Sequence, residues 1–297
     1  MPRLAWVAIG LVVLACSGCT QASTIPDRAP YLTSAAVDLL TTSGDYPARK
    51  HVLDAAEEQL VERCMNQRGH AYQPFVPPLV AGSDEKRMVD LPRRRAEGYG
   101  LASGESPPPS TAPDADQPRY QQALFGDDQH YQGLRLPNGS VHYYPTTGCV
   151  AESRAALYGD VLDWARTVSI PQIYDNDLRS QVKNSPELAE ANSRWVSCMA
   201  ASGYHYSSPN AAINDLSATY QLHGPQPDLR NREVAIATAD GECELRTHLL
   251  LIELELRRAK AQSLTAGQRR DVTELASLHC AAYHNALRIV SGGAPEC

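Results

Sequence analysis

Lysine and phenylalanine are nearly missing. Four of the 27 basic residues are lysines, and the 297 residues include only two phenylalanines. The resulting excess of arginine, with abundant alanine and proline, is the bias of a GC-rich genome. Long apolar runs are missing too. The only one covers about residues 4–15, a dozen residues where a bilayer span needs ~20, so the body of the chain is not expected to cross a membrane. No P-loop, dinucleotide fingerprint, G-x-S-x-G elbow or H-E-x-x-H pair occurs, and past the leader there is no C-x-x-C pair. The formal charge of −7 gives no broad electrostatic reason to bind nucleic acid or anionic headgroups.

The short apolar run has a clear use. MPRLAWVAIGLVVLACSGCT places Arg3 before the run and small residues after it, which is the pattern of an export signal. Two cysteines could be the processing site. Cys16 follows Val13-Leu14-Ala15, and Cys19 follows the small Ser17-Gly18 pair. Both resemble the lipobox, where the leader is cut before a diacylglyceryl-modified cysteine. Cysteine number favours Cys19. Of eight cysteines, cutting there discards Cys16, acylates Cys19 and leaves six to pair: Cys64, Cys149, Cys198, Cys243, Cys280 and Cys297. Cutting at Cys16 would strand an odd thiol. A plain secretory leader without lipid is the simpler alternative. Acyl chains contribute ~0.8 kcal/mol per buried methylene, so more than one holds a protein to the bilayer.

Periodicity predicts a mainly α chain with one small β-hairpin. Residues 1–18 read as the leader and 19–45 as a tether, with a possible short helix over 31–40. A first helical unit spans 46–170, with helices over 47–68 and 149–168. In the first helix Val52, Ala56, Leu60 and Cys64 recur every four residues, which puts Glu57, Glu58, Glu62 and Arg63 on the solvated side. Residues 77–118, charged and then rich in Pro, Ser and Asp, read as a disordered insert that cannot offset its ordering entropy. Strands flank Asn138-Gly139, a pair suited to a tight turn. A second unit spans 185–297, with helices over 185–202, 231–262 and 265–290 and a possible short one over 209–220.

The two units share a signature. Cys64-Met65-x3-Gly69-x2-Tyr72 and Cys198-Met199-x3-Gly203-x2-Tyr206 agree at four positions with identical spacing, and each is followed by a cysteine at the expected start of a helix, Cys149 and Cys243. This looks like an internal duplication. Gly69 and Gly203 stand where a helix needs a left-handed residue to end. The duplication suggests Cys64–Cys149 and Cys198–Cys243, with Cys280–Cys297 by remainder. These motifs, the Leu136-Pro137-Asn138-Gly139 turn before Gly148-Cys149, and Leu157-Tyr158-Gly159-Asp160 resemble a group of secreted lipoproteins of unknown function from high-GC Gram-positive bacteria. The resemblance covers most of the ordered chain. It implies an extracytoplasmic address and brings no catalytic residues with it.

Chemistry is harder to place. His279-Cys280-x3-His284 has poor spacing for a metal, so no metal or cofactor is expected. Glu57 with Glu58, Asp127 with Asp128, Asp160 with Asp163, and Glu253 with Glu255 all read as solvated charges. Tyr72, Tyr143, Tyr144, Tyr204 and Tyr206 cluster around the motifs and the hairpin. They are candidate contacts for a protein or glycan, the plainer reading being helix-end packing over the disulfides. Trp164 and Trp195 read as core. The expectation is a lipid-anchored binding or scaffold protein of the cell envelope, touching the membrane through its anchor and no nucleic acid. The alternative is an enzyme acting on cell-wall material through an unrecognised carboxylate pair.

Overall fold

The computed structural model describes residues 31–102 and 117–291. The expected leader with Cys16 and Cys19, Cys297, and residues 103–116 of the expected insert lie outside the described residues.

The described residues begin with α1 (Ser34–Thr41) and α2 (Tyr46–Gln67), then reach α3 (Asp84–Val89) and α4 (Leu91–Glu97) through an extended stretch. After α5 (Pro118–Phe125) come the hairpin strands β1 (Tyr131–Arg135) and β2 (Val141–Pro145), then α6 (Cys149–Tyr158) and α7 (Val161–Val182). The rest is α8 (Pro186–Ala201), α9 (Pro209–His223), α10 (Pro227–Thr247), α11 (Leu249–Ala261) and α12 (Ala266–Val290). The protein is therefore mainly α with one antiparallel hairpin. Disulfides join Cys64 to Cys149 and Cys198 to Cys243. Cys280 is also disulfide-bonded. Among the described residues no helix is long and apolar enough to cross a membrane.

Both motif glycines do what their position requires. Gly69 has φ +83° and Gly203 φ +86°. After each, the next amide reaches back to the methionine: His70 N–H donates to the Met65 carbonyl at 3.0 Å, and Tyr204 N–H to that of Met199 at 2.9 Å. Gly69 and Gly203 donate to Asn66 and Ala200. These are matching Schellman ends, which satisfy carbonyls that a helix terminus would otherwise leave bare.

Several boundaries differ from the sequence reading. Residues 84–97 of the expected disordered insert are helical. Ser83 caps α3 by accepting the Lys86 amide, and α3 and α4 lie along α10. Charged composition hid this because the arm is held by buried polar bonds rather than by an apolar stripe. The short helix expected over 31–40, within the segment read as a tether, is α1 at Ser34–Thr41. Leu32, Val37 and Leu40 of this region are buried against Tyr174, Leu178 and Val272. The helix expected over 149–168 breaks at Gly159-Asp160, where Asp160 caps α7, and α7 continues through Pro171 to Val182. The helix expected over 231–262 breaks at His248, which adopts φ +56° and bonds Glu85 of α3. Cys243 consequently lies inside α10 rather than opening a helix. The hairpin turns over Leu136–Gly139, closed by Gly139 N–H to the Leu136 carbonyl at 2.9 Å. Pro137, with its fixed φ, suits the second position of such a turn, so Gly139 alone takes a positive φ.

Packing runs across residue 185 in both directions. α12 lies against α2, α6 and α7 of the first half, burying Ala282 and Ala286 with Leu53, Ala56 and Leu157. The α3–α4 arm lies against the second half.

Candidate functional site

α2 carries two stripes. Leu53, Ala56, Val61 and Met65 are buried against the core. Beside them Tyr46, Lys50, Asp54, Glu57 and Glu58 recur at helical spacing and form one wall of a cleft of about 410 Å³. The opposite walls come from Arg154 and Tyr158 of α6, Trp164 and Val168 of α7, and His279 of α12, with Phe75 and Pro77 at the mouth. The turn at Gly159-Asp160 places α6 and α7 so that both face α2.

The charged groups in the cleft are already bonded. Lys50 Nζ lies 2.6 Å from Asp54 Oδ2. Arg154 Nε donates to Glu57 Oε1 at 3.0 Å, and the guanidinium carbon sits 3.6 Å from the centre of the Trp164 ring. This is close enough for a strong cation–π contact. Glu58 Oε2 accepts the Tyr72 hydroxyl at 3.0 Å and the Phe75 amide at 2.9 Å, which ties the extended stretch to α2. Burial raises the Glu57 carboxyl above its ordinary range against the pull of Arg154. Burial, and then Asp54, pushes Tyr46 up to about 12. Burial also raises Tyr158, helped by Tyr46 and Glu57.

His279 is held neutral. Only 5% of it is exposed, its Nε2 has no hydrogen-bond partner, and its ring lies 5.0 Å from that of Tyr46. Burial, with Arg49 and Lys50 nearby, lowers it to about 4. Among the described residues no group of three His, Cys, Asp or Glu could hold a metal ion.

The candidate tyrosines are not brought together. Tyr72 packs beside the first disulfide with Met65 and Tyr120. Tyr204 and Tyr206 pack by the second, where the Tyr206 hydroxyl donates to Asp215 at 3.0 Å. Tyr144 is buried under the hairpin with Ala151 and Ala165, so it is core and not a contact residue. Tyr143 is 69% exposed on the other face. Glu57 and Glu58, read as solvated, line the cleft. Trp164, read as core, is one of its walls, whereas Trp195 is fully buried. Phe75, Tyr46, Tyr158 and Arg154 escaped the sequence reading. The i, i+4 run of Tyr46, Lys50 and Asp54 beside the apolar stripe was the available signal.

A second polar cluster lies under the α3–α4 arm. Asp240 accepts from Trp195 Nε1 at 2.9 Å, from the Tyr99 hydroxyl at 2.8 Å and from Arg94 Nη1 at 2.8 Å. Arg94 also lies 2.8 Å from Glu244 Oε2. Burial, and then the charge of Asp240, raises Glu244 to about 8. Nearby, Glu233 accepts the Leu101 amide and the Tyr220 hydroxyl. Gly98 has φ +75°, and a Cβ there would come within 2.9 Å of the Glu233 carboxyl. Asp240 and Glu244 are a carboxylate pair, but they are 0% and 2% exposed, so their place is internal.

No protein-family model, curated protein or solved structure matches this chain.

Proposed function

We propose that this is an exported lipoprotein, anchored through Cys19 with its body on the outer side of the membrane, that holds a component of the cell envelope in the α2 cleft. The leader and the resemblance to secreted lipoproteins of high-GC Gram-positive bacteria support the address, and the disulfides fit an oxidising compartment. The observation that carries the binding reading is the state of the cleft carboxylates. Asp54, Glu57 and Glu58 each have a partner in the protein, and all three come from one helix. Acid–base catalysis on cell-wall material would call for two carboxyls with separated roles on opposite sides of a bond. The raised carboxyl of Glu57 favours that second reading, but Arg154 at 3.0 Å holds it as an ion pair.

The test is crosslinking and recovery of the lipidated protein from its own membranes, beside the Phe75→Ala and Cys19→Ser variants. The expected result is a reproducible envelope partner, lost with Phe75→Ala, and release of Cys19→Ser from the membrane. Recovery of the same partner by Phe75→Ala would overturn the cleft as its site. Retention of Cys19→Ser on the membrane would overturn the anchor.

A further inference from the structure

We infer that the α2 cleft takes a neutral, polyhydroxylated chain, a segment of envelope glycan lying along α2 against the 74–80 stretch. This rests on the reading of the cleft as a binding site.

Shape comes first. A second cavity of about 240 Å³ lies along the same helix, reaching Leu79, Val80 and Arg87. It shares Tyr46, Lys50, Asp54 and Pro77 with the first, so the two adjoin along α2. Two adjoining hollows suit a chain of linked units better than one compact molecule.

The outer wall is held open at both ends. At one end Glu58 binds Tyr72 and the Phe75 amide. At the other, Asp84 accepts the Gly44 amide at 2.9 Å and Arg87 donates to the Gly44 carbonyl at 2.9 Å. Between the anchors, Pro74, Pro77 and Pro78 restrict the backbone. Phe75 and Leu79 remain 47% and 42% exposed. A wall stiffened this way loses little freedom when a ligand settles against it.

Charge then selects the ligand class. Lys50 is neutralised by Asp54 and Arg154 by Glu57. Separating Arg154 from Glu57 would leave a half-buried charge behind, which is costly, and Glu58, the wall carboxylate without a cationic partner, already accepts the Tyr72 hydroxyl and the Phe75 amide. Hydroxyls need no such exchange. A paired carboxylate retains free lone pairs and a paired guanidinium retains free N–H groups, so each can bond a neutral hydroxyl while keeping its partner. The half-exposed Phe75 ring offers an apolar surface to the C–H face of a sugar.

The experiment uses the full-length protein in neutral detergent. It is titrated with the pentasaccharides of N-acetylglucosamine and of β-linked glucose, and separately with a pentalysine peptide. Calorimetry and the Trp164 indole N–H resonance are the readouts. The expected result is saturable binding of at least one sugar that moves the Trp164 signal. Its affinity changes less than about twofold on adding salt, as befits an interaction without net charge. Phe75→Ala and Leu79→Ala should each weaken it roughly tenfold, about 1.4 kcal/mol. Both side chains are about half exposed and belong to none of the buried core clusters, so a urea unfolding curve alongside checks that the fold survives either change. Steeply salt-dependent binding of the peptide and none of the sugars would overturn the glycan while leaving the cleft a binding site. Binding of no probe would overturn the glycan, and the membrane crosslinking of Phe75→Ala then decides the cleft separately.

Discussion

The end of α2 and the end of α8 are local copies placed in different surroundings. Each closes on Cys-Met-x3-Gly with the same pair of backbone bonds and a disulfide one turn back. The partners differ. Cys149 opens α6 within a small apolar cluster of Val61, Met65, Tyr120 and Leu124, with Arg68 and Glu152 paired in solvent beside it. Cys243 sits within α10, three residues after Asp240, and Cys198 three residues after Trp195. The second staple therefore lies directly over the buried Trp195–Asp240–Arg94 network, and the first does not lie over any comparable one. Tyr72 ties the α2 end to the cleft through Glu58, whereas Tyr206 ties the α8 end to α9 through Asp215. The repeat specifies how a helix stops and where it is stapled. What it is stapled to comes from residues outside the motif.

Removing each staple tests this most severely. The bridged separations are 85 and 45 residues. On the chain-entropy model each bridge contributes about 4 to 5 kcal/mol, the first about 0.6 kcal/mol more than the second. Urea unfolding of Cys64→Ala with Cys149→Ala, against Cys198→Ala with Cys243→Ala, measures the order. A clearly larger loss at the second staple would mean that it also supports the ionic network.

The ion pairs should separate next. Asp240→Ala strands the buried Trp195 indole N–H and the Tyr99 hydroxyl and leaves Arg94 with Glu244 alone, and should cost about 3 kcal/mol. Glu57→Gln, at a side chain 20% exposed, keeps an oxygen that accepts from Arg154 and should cost less, about 1 to 2 kcal/mol. Equal losses in thermal or urea unfolding would erase the distinction between the two regions.

Acidity should then pull them in opposite directions, by about a few kcal/mol at most. His279 is lowered from 6.5 to about 4, so its contribution is present above pH 6.5 and is lost as pH falls toward 4. Glu244 is raised from 4.5 to about 8, so its contribution is present below pH 4.5 and is lost as pH rises toward 8. Stability measured across this range should lose its acid slope in His279→Phe and its alkaline slope in Glu244→Gln. Slopes unchanged by these substitutions would contradict the buried placement of both groups.

Much of the helical framework was legible. Ser185 before Pro186 and Thr265 before Gln268 are side-chain caps, and they start α8 and α12 where expected. The duplicated motif led to the Cys64–Cys149 and Cys198–Cys243 bridges. Breaks set by tertiary context were not legible: nothing near His248 in sequence demands a left-handed residue, and Glu85, its partner, is 163 positions away. The α3–α4 arm was missed because Arg94 and Tyr99 read as surface until Asp240 is placed beneath them. The site was missed for a similar reason. Glu57 and Arg154 look solvated one helix at a time, and the cleft appears only when α2, α6, α7 and α12 are brought together.

The central claim is that this chain is exported, oxidised and lipid-held. Mass spectrometry of non-reduced peptides from native membranes tests it most directly. The account predicts an acylated N-terminal Cys19, with Cys64 linked to Cys149 and Cys198 to Cys243. An intact Met1 and cysteines recovered as free thiols would contradict it.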